Sequence, residues 1–162
     1  MKELLAERDA EAEEIIRKHV KVAMMGGAIP LPVVDLAAVS AVHVRMLREL
    51  AECYGATHDA GSARSFVTSV SGALAGMTVG RVAASLLKVL PGVGWTVGGL
   101  TQVIVTGAST FALGTLVKRL FRENRPLREL DFSTAREELA SYFEAGRGTA
   151  EAILKRLKGP PK

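Results

Sequence analysis

Polar and apolar residues recur at a helical period through most of the chain. From 2 to 24, Leu5, Ala12, Ile15, Ile16 and Ala23 fall near that period. Glu13 with Arg17, and Glu14 with Lys18, stand four apart, the spacing at which opposite charges support a helix. The natural reading is a surface helix packed on its own domain, with a docking arm as the alternative. Gly26-Gly27 and Pro30-Leu31-Pro32 then interrupt the pattern. It resumes from Pro32 to about Tyr54, with Val33, Leu36, Ala37, Ser40, Val44, Leu47 and Ala51 on one face and Asp35 in the first turn, where helix dipoles favour a carboxylate. Gly55 closes that run.

Polarity then nearly vanishes. Phe66 to Leu90 and Gly92 to Val117 are apolar blocks joined at Leu90-Pro91-Gly92-Val93-Gly94, and the second block holds no charged residue. Beyond Arg125-Pro126, Asp131-Phe132-Ser133 leads into a final arm, with Ser133 or Thr134 as its cap and Leu139, Tyr142 and Phe143 on its apolar edge. Gly146-Arg147-Gly148 predicts a break before a short amphipathic stretch from Ala150 to Lys158. The pattern therefore predicts an all-α protein, a helical bundle whose central Gly-rich apolar helical hairpin lies between charged amphipathic terminal helices. It divides the chain into an N-terminal charged amphipathic helix (1–24), an apolar helical core (25–124) and a C-terminal helical arm with a basic tail (125–162).

Glycine spacing sharpens the reading of the apolar blocks. Gly72, Gly76 and Gly80 repeat every four residues, one face of a helix, with Thr68 and Ala84 in register. Glycine costs a helix about 1 kcal/mol relative to alanine, so a stripe of it asks for a packing reason. Close approach of a second helix is that reason, and membrane helices associate in this way. Gly107 and Gly114 offer the same service in the second block, beside the hydroxyls of Thr101, Thr106, Ser109, Thr110 and Thr115. That block exceeds the roughly 20 apolar residues a bilayer span requires. Lys118, Arg119, Arg122 and Arg125 follow it at once, with Arg128 beyond, as cations placed to meet anionic lipid. A hairpin puts both of its ends on one side, and the positive-inside bias makes that side cytoplasmic. Arg81, inside the first block, must then snorkel toward Lys88 or face protein or water. The competing reading is a hairpin buried in a soluble bundle or between subunits.

Composition adds limits. The chain of 162 residues is one domain's worth, with 48% hydrophobic and 23% charged residues. A net charge of +4 suits an anionic surface. Its cations follow the apolar block without interleaved aromatics, which argues against nucleic acid. No apolar leader follows the first residues, position 2 is not glycine and no prenylation box closes the chain, so membrane contact is expected from the folded chain itself. Cys53 is alone, which excludes an internal disulfide. His19, His43, Cys53 and His58 lack the paired spacing of a metal site, and no third group orients a Cys/His nucleophile pair. Neither a phosphate loop nor a dinucleotide fingerprint is present: Gly76 to Arg81 lacks the Lys-Ser/Thr, and Gly92 to Gly98 is one residue too long and follows a proline. No enzyme activity, cofactor or metal is expected.

Three segments carry a resemblance. Glu14-Ile15-Ile16-Arg17-Lys18-His19-Val20, then Gly27-Ala28-Ile29-Pro30-Leu31-Pro32-Val33-Val34-Asp35, then Met46-Leu47 with Leu50-Ala51 and Tyr54-Gly55 resemble the domain-of-unknown-function family 697. The likeness continues through Leu90 to Gly94 and Gly107 to Gly114 and covers roughly residues 13 to 122. It implies a small helical bacterial domain, membrane-associated, in some members fused to or accompanying a GTPase. The expectation is a non-enzymatic membrane-associated helical protein that self-associates through its small-residue hairpin, with lipid membrane and further copies of itself as partners. The alternatives are a soluble homo-oligomeric scaffold in the cytoplasm and a regulatory binding module for a GTPase.

Overall fold

The uncharged second block becomes the central helix of the bundle. The computed structural model describes residues 2–26, 32–57, 59–86 and 94–159; at 32–37, 78–86, 94–99 and 132 it describes the backbone helix alone. Five α-helices follow in order: α1 Lys2–Gly26, α2 Pro32–Tyr54, α3 Ala60–Leu86, α4 Gly94–Arg122 and α5 Phe132–Lys158, with a short 3-10 turn at Leu127–Glu129. No strand occurs among the described residues. The apolar turn at 90–93 and His58 lie outside them.

α4 packs most closely against α5 and α1, and also against α2 and α3. Ala108, Ala112, Leu113, Leu116, Val117 and Leu120 are fully buried along it, each leucine worth roughly 1.5–3 kcal/mol of transfer from water. Partners come from every other helix: Ile16, Val20 and Met24 of α1, Met46, Leu47 and Leu50 of α2, Val67 and Val70 of α3, and Leu139 of α5. Of the face read for α2, Leu47 and Ala51 are buried, Ser40 and Val44 half-buried, and the side chains of Val33, Leu36 and Ala37 lie outside the described residues, while Met46 and Leu50 are buried beside them. In α1, Ala12, Ile16, His19, Val20, Ala23 and Met24 point inward.

Side-chain pairs fix the helix directions. Gly107 of α4 lies against Met24 of α1 and Ala150 of α5, and Gly114 lies against Ile16 of α1 and Met46 of α2. Lys118 pairs with Glu13 at 3.1 Å, Arg122 with Asp9 at 3.3 Å, and Arg119 with Glu138. Residue numbers rise along α4 as they fall along α1 and α5, so both neighbours are antiparallel to it. α2 runs parallel to α4, because His43 meets Thr110 and Met46 meets Gly114. One end of the bundle therefore gathers the starts of α1 and α5 with the ends of α2 and α4. The other gathers the ends of α1 and α5 with the starts of α2 and α4.

The first of these ends is knotted by polar contacts. The Tyr54 hydroxyl donates to Asp9 Oδ1 at 2.6 Å while Arg122 holds the other oxygen, and Arg8 donates to the Tyr54 carbonyl at 3.3 Å. Burial and the Asp9 hydrogen bond push the phenol's pKa up. Asp59 opens α3 by accepting from the amides of Gly61 and Ser62 at 2.8 and 3.0 Å.

α5 departs from expectation twice. Its cap is Asp131, not Ser133 or Thr134: the carboxylate accepts from the Ser133 amide and hydroxyl at 2.9 and 2.7 Å, and these bonds hold its pKa below the usual range. Nor does Gly146-Arg147-Gly148 break the helix, which runs unbroken to Lys158. A methyl group at Gly146 would stand 2.8 Å from the Ala108 carbonyl oxygen and 2.9 Å from Phe111 Cβ. The glycine brings α5 onto α4.

Candidate functional site

The glycines singled out by spacing fall into two groups. Gly107 and Gly114 sit at helix crossings inside the chain, where an added methyl would approach Met24 Cγ and Ile16 Cγ1 to 2.8 Å in turn. Gly72 and Gly76 are exposed on α3, and a methyl at either would meet nothing within 4 Å. Thr68, Ser69 and Ala75 share that open face, while Phe66, Val67, Val70 and Leu74 turn inward. Among the described residues α3 thus turns Thr68, Ser69, Gly72 and Gly76 to an exposed face. The surroundings of Gly80 and Arg81 lie outside the described residues.

The four cations that follow the apolar block have carboxylates of this chain beside them. Lys118 meets Glu13, Arg119 meets Glu138 and, at 3.5 Å, Glu123, Arg122 meets Asp9, and Arg125 meets Glu123 at 3.7 Å. Exposed pairs of this kind contribute roughly 0–1 kcal/mol each. They also reduce the positive potential that this end of α4 presents.

Other cations are unmatched. Lys155, Arg156 and Lys158 in the last turn of α5 are exposed and have no carboxylate partner among the described residues. Arg17, Lys21 and Arg156 also line a groove of about 700 Å³ between α1, α4 and α5, over Ile16, Phe111 and Ile153. In sequence these cations read either as lipid-phosphate contacts or as a merely solvated basic end. What marks them is position in the bundle, which the sequence alone does not display.

Chemistry-bearing side chains elsewhere are engaged in packing. His43 Nε2 lies 2.9 Å from Thr110 Oγ1, whose own proton goes to the Thr106 carbonyl, so Nε2 carries the hydrogen and donates. Its Nδ1 is buried without a hydrogen-bond partner. Burial, with His19 nearby, pushes the His43 pKa down to about 4, and the ring is neutral. Cys53 donates weakly to the Arg8 carbonyl at 3.4 Å, and burial pushes its thiol pKa up, away from the reactive thiolate. Among the described residues no three of His, Cys, Asp and Glu are placed to hold a metal ion.

From Leu100 to Arg122, α4 is long and apolar enough to cross a membrane, and half of that stretch is buried inside the bundle. Comparison with known proteins adds a relationship. Residues 1–144 match the domain of unknown function DUF697. The chain is also 33% identical over 150 residues to magnetosome membrane protein 22 of Magnetospirillum gryphiswaldense, covering 92% of this chain and 77% of that one. No solved structure matches.

Proposed function

The chain belongs to the DUF697 family, and from that premise we propose that it is a non-enzymatic, membrane-associated helical protein that assembles with further copies of itself through the small-residue face of α3. The similarity to a magnetosome membrane protein over nearly the whole chain carries the membrane part of this reading. The apolar length of α4 agrees with it. Self-association has its support in Gly72 and Gly76, which remain exposed in a helix that gains nothing from them locally.

The body of the bundle suits water. α1 turns Glu7, Glu11, Glu14, Arg17 and Lys18 outward, and α5 turns out Arg136, Glu137, Glu144, Arg147 and Glu151. Charges on those faces cost at least ~2.5 kcal/mol each at mid-bilayer. Membrane contact therefore belongs to a limited part of the molecule.

Fractionation without detergent tests the reading. The expected result is recovery with membranes, followed by alkaline carbonate extraction to separate integral from peripheral association. Recovery of all the protein as a monodisperse soluble particle would overturn the membrane part. The apolar core would then serve a soluble assembly.

A further inference from the structure

We infer that the bundle meets an anionic bilayer end-on, through the end where α4 and α2 begin and α1 and α5 finish, with Lys155, Arg156 and Lys158 as the headgroup contacts. This rests on the membrane reading above and assigns the surface that performs it. It also reverses the polarity expected from the cations after the apolar block: Lys118, Arg119, Arg122 and Arg125 lie at the opposite end, away from lipid.

Helix register locates the surface. Gly107 faces Ala150, and Arg119 faces Glu138, so residues of α4 and α5 at one level have nearly constant summed numbers. Leu100 and Leu157 consequently share a level at this end, and both are exposed, 39% and 66%. Residues of α1 and α4 at one level sum to about 131, so Met25, 68% exposed near the end of α1, stands at the level of residue 106, about 9 Å short of Leu100 along the bundle. Among the described residues only Leu4 is a large exposed hydrophobic at the other end. α4 begins six residues before Leu100, at Gly94, so its backbone reaches about 9 Å past that level at 1.5 Å per residue. In sequence, residues 75 to 102 contain Arg81 and Lys88 as their only charges. A helix start of that reach, uncharged in sequence, matches the ~5–10 Å to which interfacial segments enter the headgroup and acyl boundary.

Charge points the same way. Lys155, Arg156 and Lys158 lie level with residues 99 to 102 of α4 and have no carboxylate partner among the described residues, and Lys21 and Arg17, then Lys118 with Glu13, follow along the groove between α1 and α5. The other end carries Glu3, Glu7, Asp9, Glu52, Glu123, Glu129 and Asp131. That end also carries Lys2, Arg8, Arg119, Arg122, Arg125 and Arg128, so its charges nearly cancel, and an anionic surface favours the first end, whose cluster is cationic. Each cation near such a surface contributes about a fivefold gain in partitioning, so the three together supply on the order of a hundredfold.

Trp95, the one tryptophan, stands in the first turn of α4 and is a built-in probe. The purified full chain is mixed with phosphatidylcholine vesicles, with and without phosphatidylglycerol, carrying brominated acyl chains. Expected are co-sedimentation that requires phosphatidylglycerol and quenching of Trp95. In a Trp95→Phe, Leu4→Trp double variant, whose reporter is at the far end, vesicles bind without quenching. Lys155→Gln, Arg156→Gln, Lys158→Gln together weaken binding on the order of a hundredfold, while Arg128→Gln with Arg136→Gln, exposed cations at the other end, leave it nearly unchanged. Vesicle binding with Trp95 unquenched, with the Leu4→Trp reporter quenched, or with equal loss in both cation sets overturns the end-on geometry and leaves the membrane reading standing. Absence of binding to either vesicle overturns both. Circular dichroism of each variant confirms that it is folded.

Discussion

His43 shows how a residue with catalytic potential becomes a structural one. Its ring is buried between α2 and α4, donates one hydrogen bond to Thr110 and leaves Nδ1 unpaired, so the neutral form is the one the fold accepts. An unfolded histidine titrates near 6.5 and this one near 4. The unfolded chain therefore binds more protons between those values. Stability from neutral His43 is complete above about pH 6.5 and is lost as the pH falls toward 4, by about 2 kcal/mol between pH 7 and 5. Glu49 and Asp131, whose carboxyls are held below their ordinary values, add their own loss only further down, as pH falls through the carboxylate range. Urea unfolding at pH 7 and 5 should show the drop in the wild type and a much smaller one in His43→Gln, which keeps an N–H for Thr110 but does not titrate. Equal drops would mean that His43 is not the group responsible.

At the scale of the element, glycine means opposite things on α3 and α5. Gly146→Ala puts a methyl against the backbone of Ala108, which has little room to yield, and should destabilise the fold by about 1–3 kcal/mol. Gly72→Ala and Gly76→Ala meet open space and should stabilise an isolated chain by up to about 1 kcal/mol each. Thermal unfolding of the single variants checks the sign, and a gain at Gly146 would contradict the close crossing of α4 and α5. The same contrast shows what local pattern conveys. The bounds of α2 at Pro32 and Tyr54 are legible because proline, periodicity and Gly55 mark them in the chain itself. Gly146-Arg147-Gly148 reads as a break because the compensation for its propensity cost comes from Ala108 and Phe111, residues distant in sequence. The cap is Asp131, two or three residues before the expected Ser133 or Thr134, for a smaller reason: all three side chains can cap, and only backbone geometry chooses.

For the whole molecule, the all-helical class and the central position of the second apolar block follow from composition and period. Orientation does not. The run of Lys118, Arg119, Arg122 and Arg125 resembles a membrane stop in sequence, but folding carries Glu13, Glu138 and Asp9 to three of these cations from α1 and α5. The proposed self-association likewise rests on the folded surface and not on local pattern. Gly76→Leu should remove higher-order species in sedimentation velocity without destabilising the monomer, since the site is open. Unaltered particle size would place any self-contact elsewhere than the α3 face.

The alternation of the five helices has one more consequence. With an odd number of passes, Lys2 and Lys158 lie at opposite ends of the molecule. α1 alone measures about 37 Å at 1.5 Å per residue. The bundle therefore separates its termini: a label placed ahead of Lys2 lies about a bundle's length from one placed after Lys158.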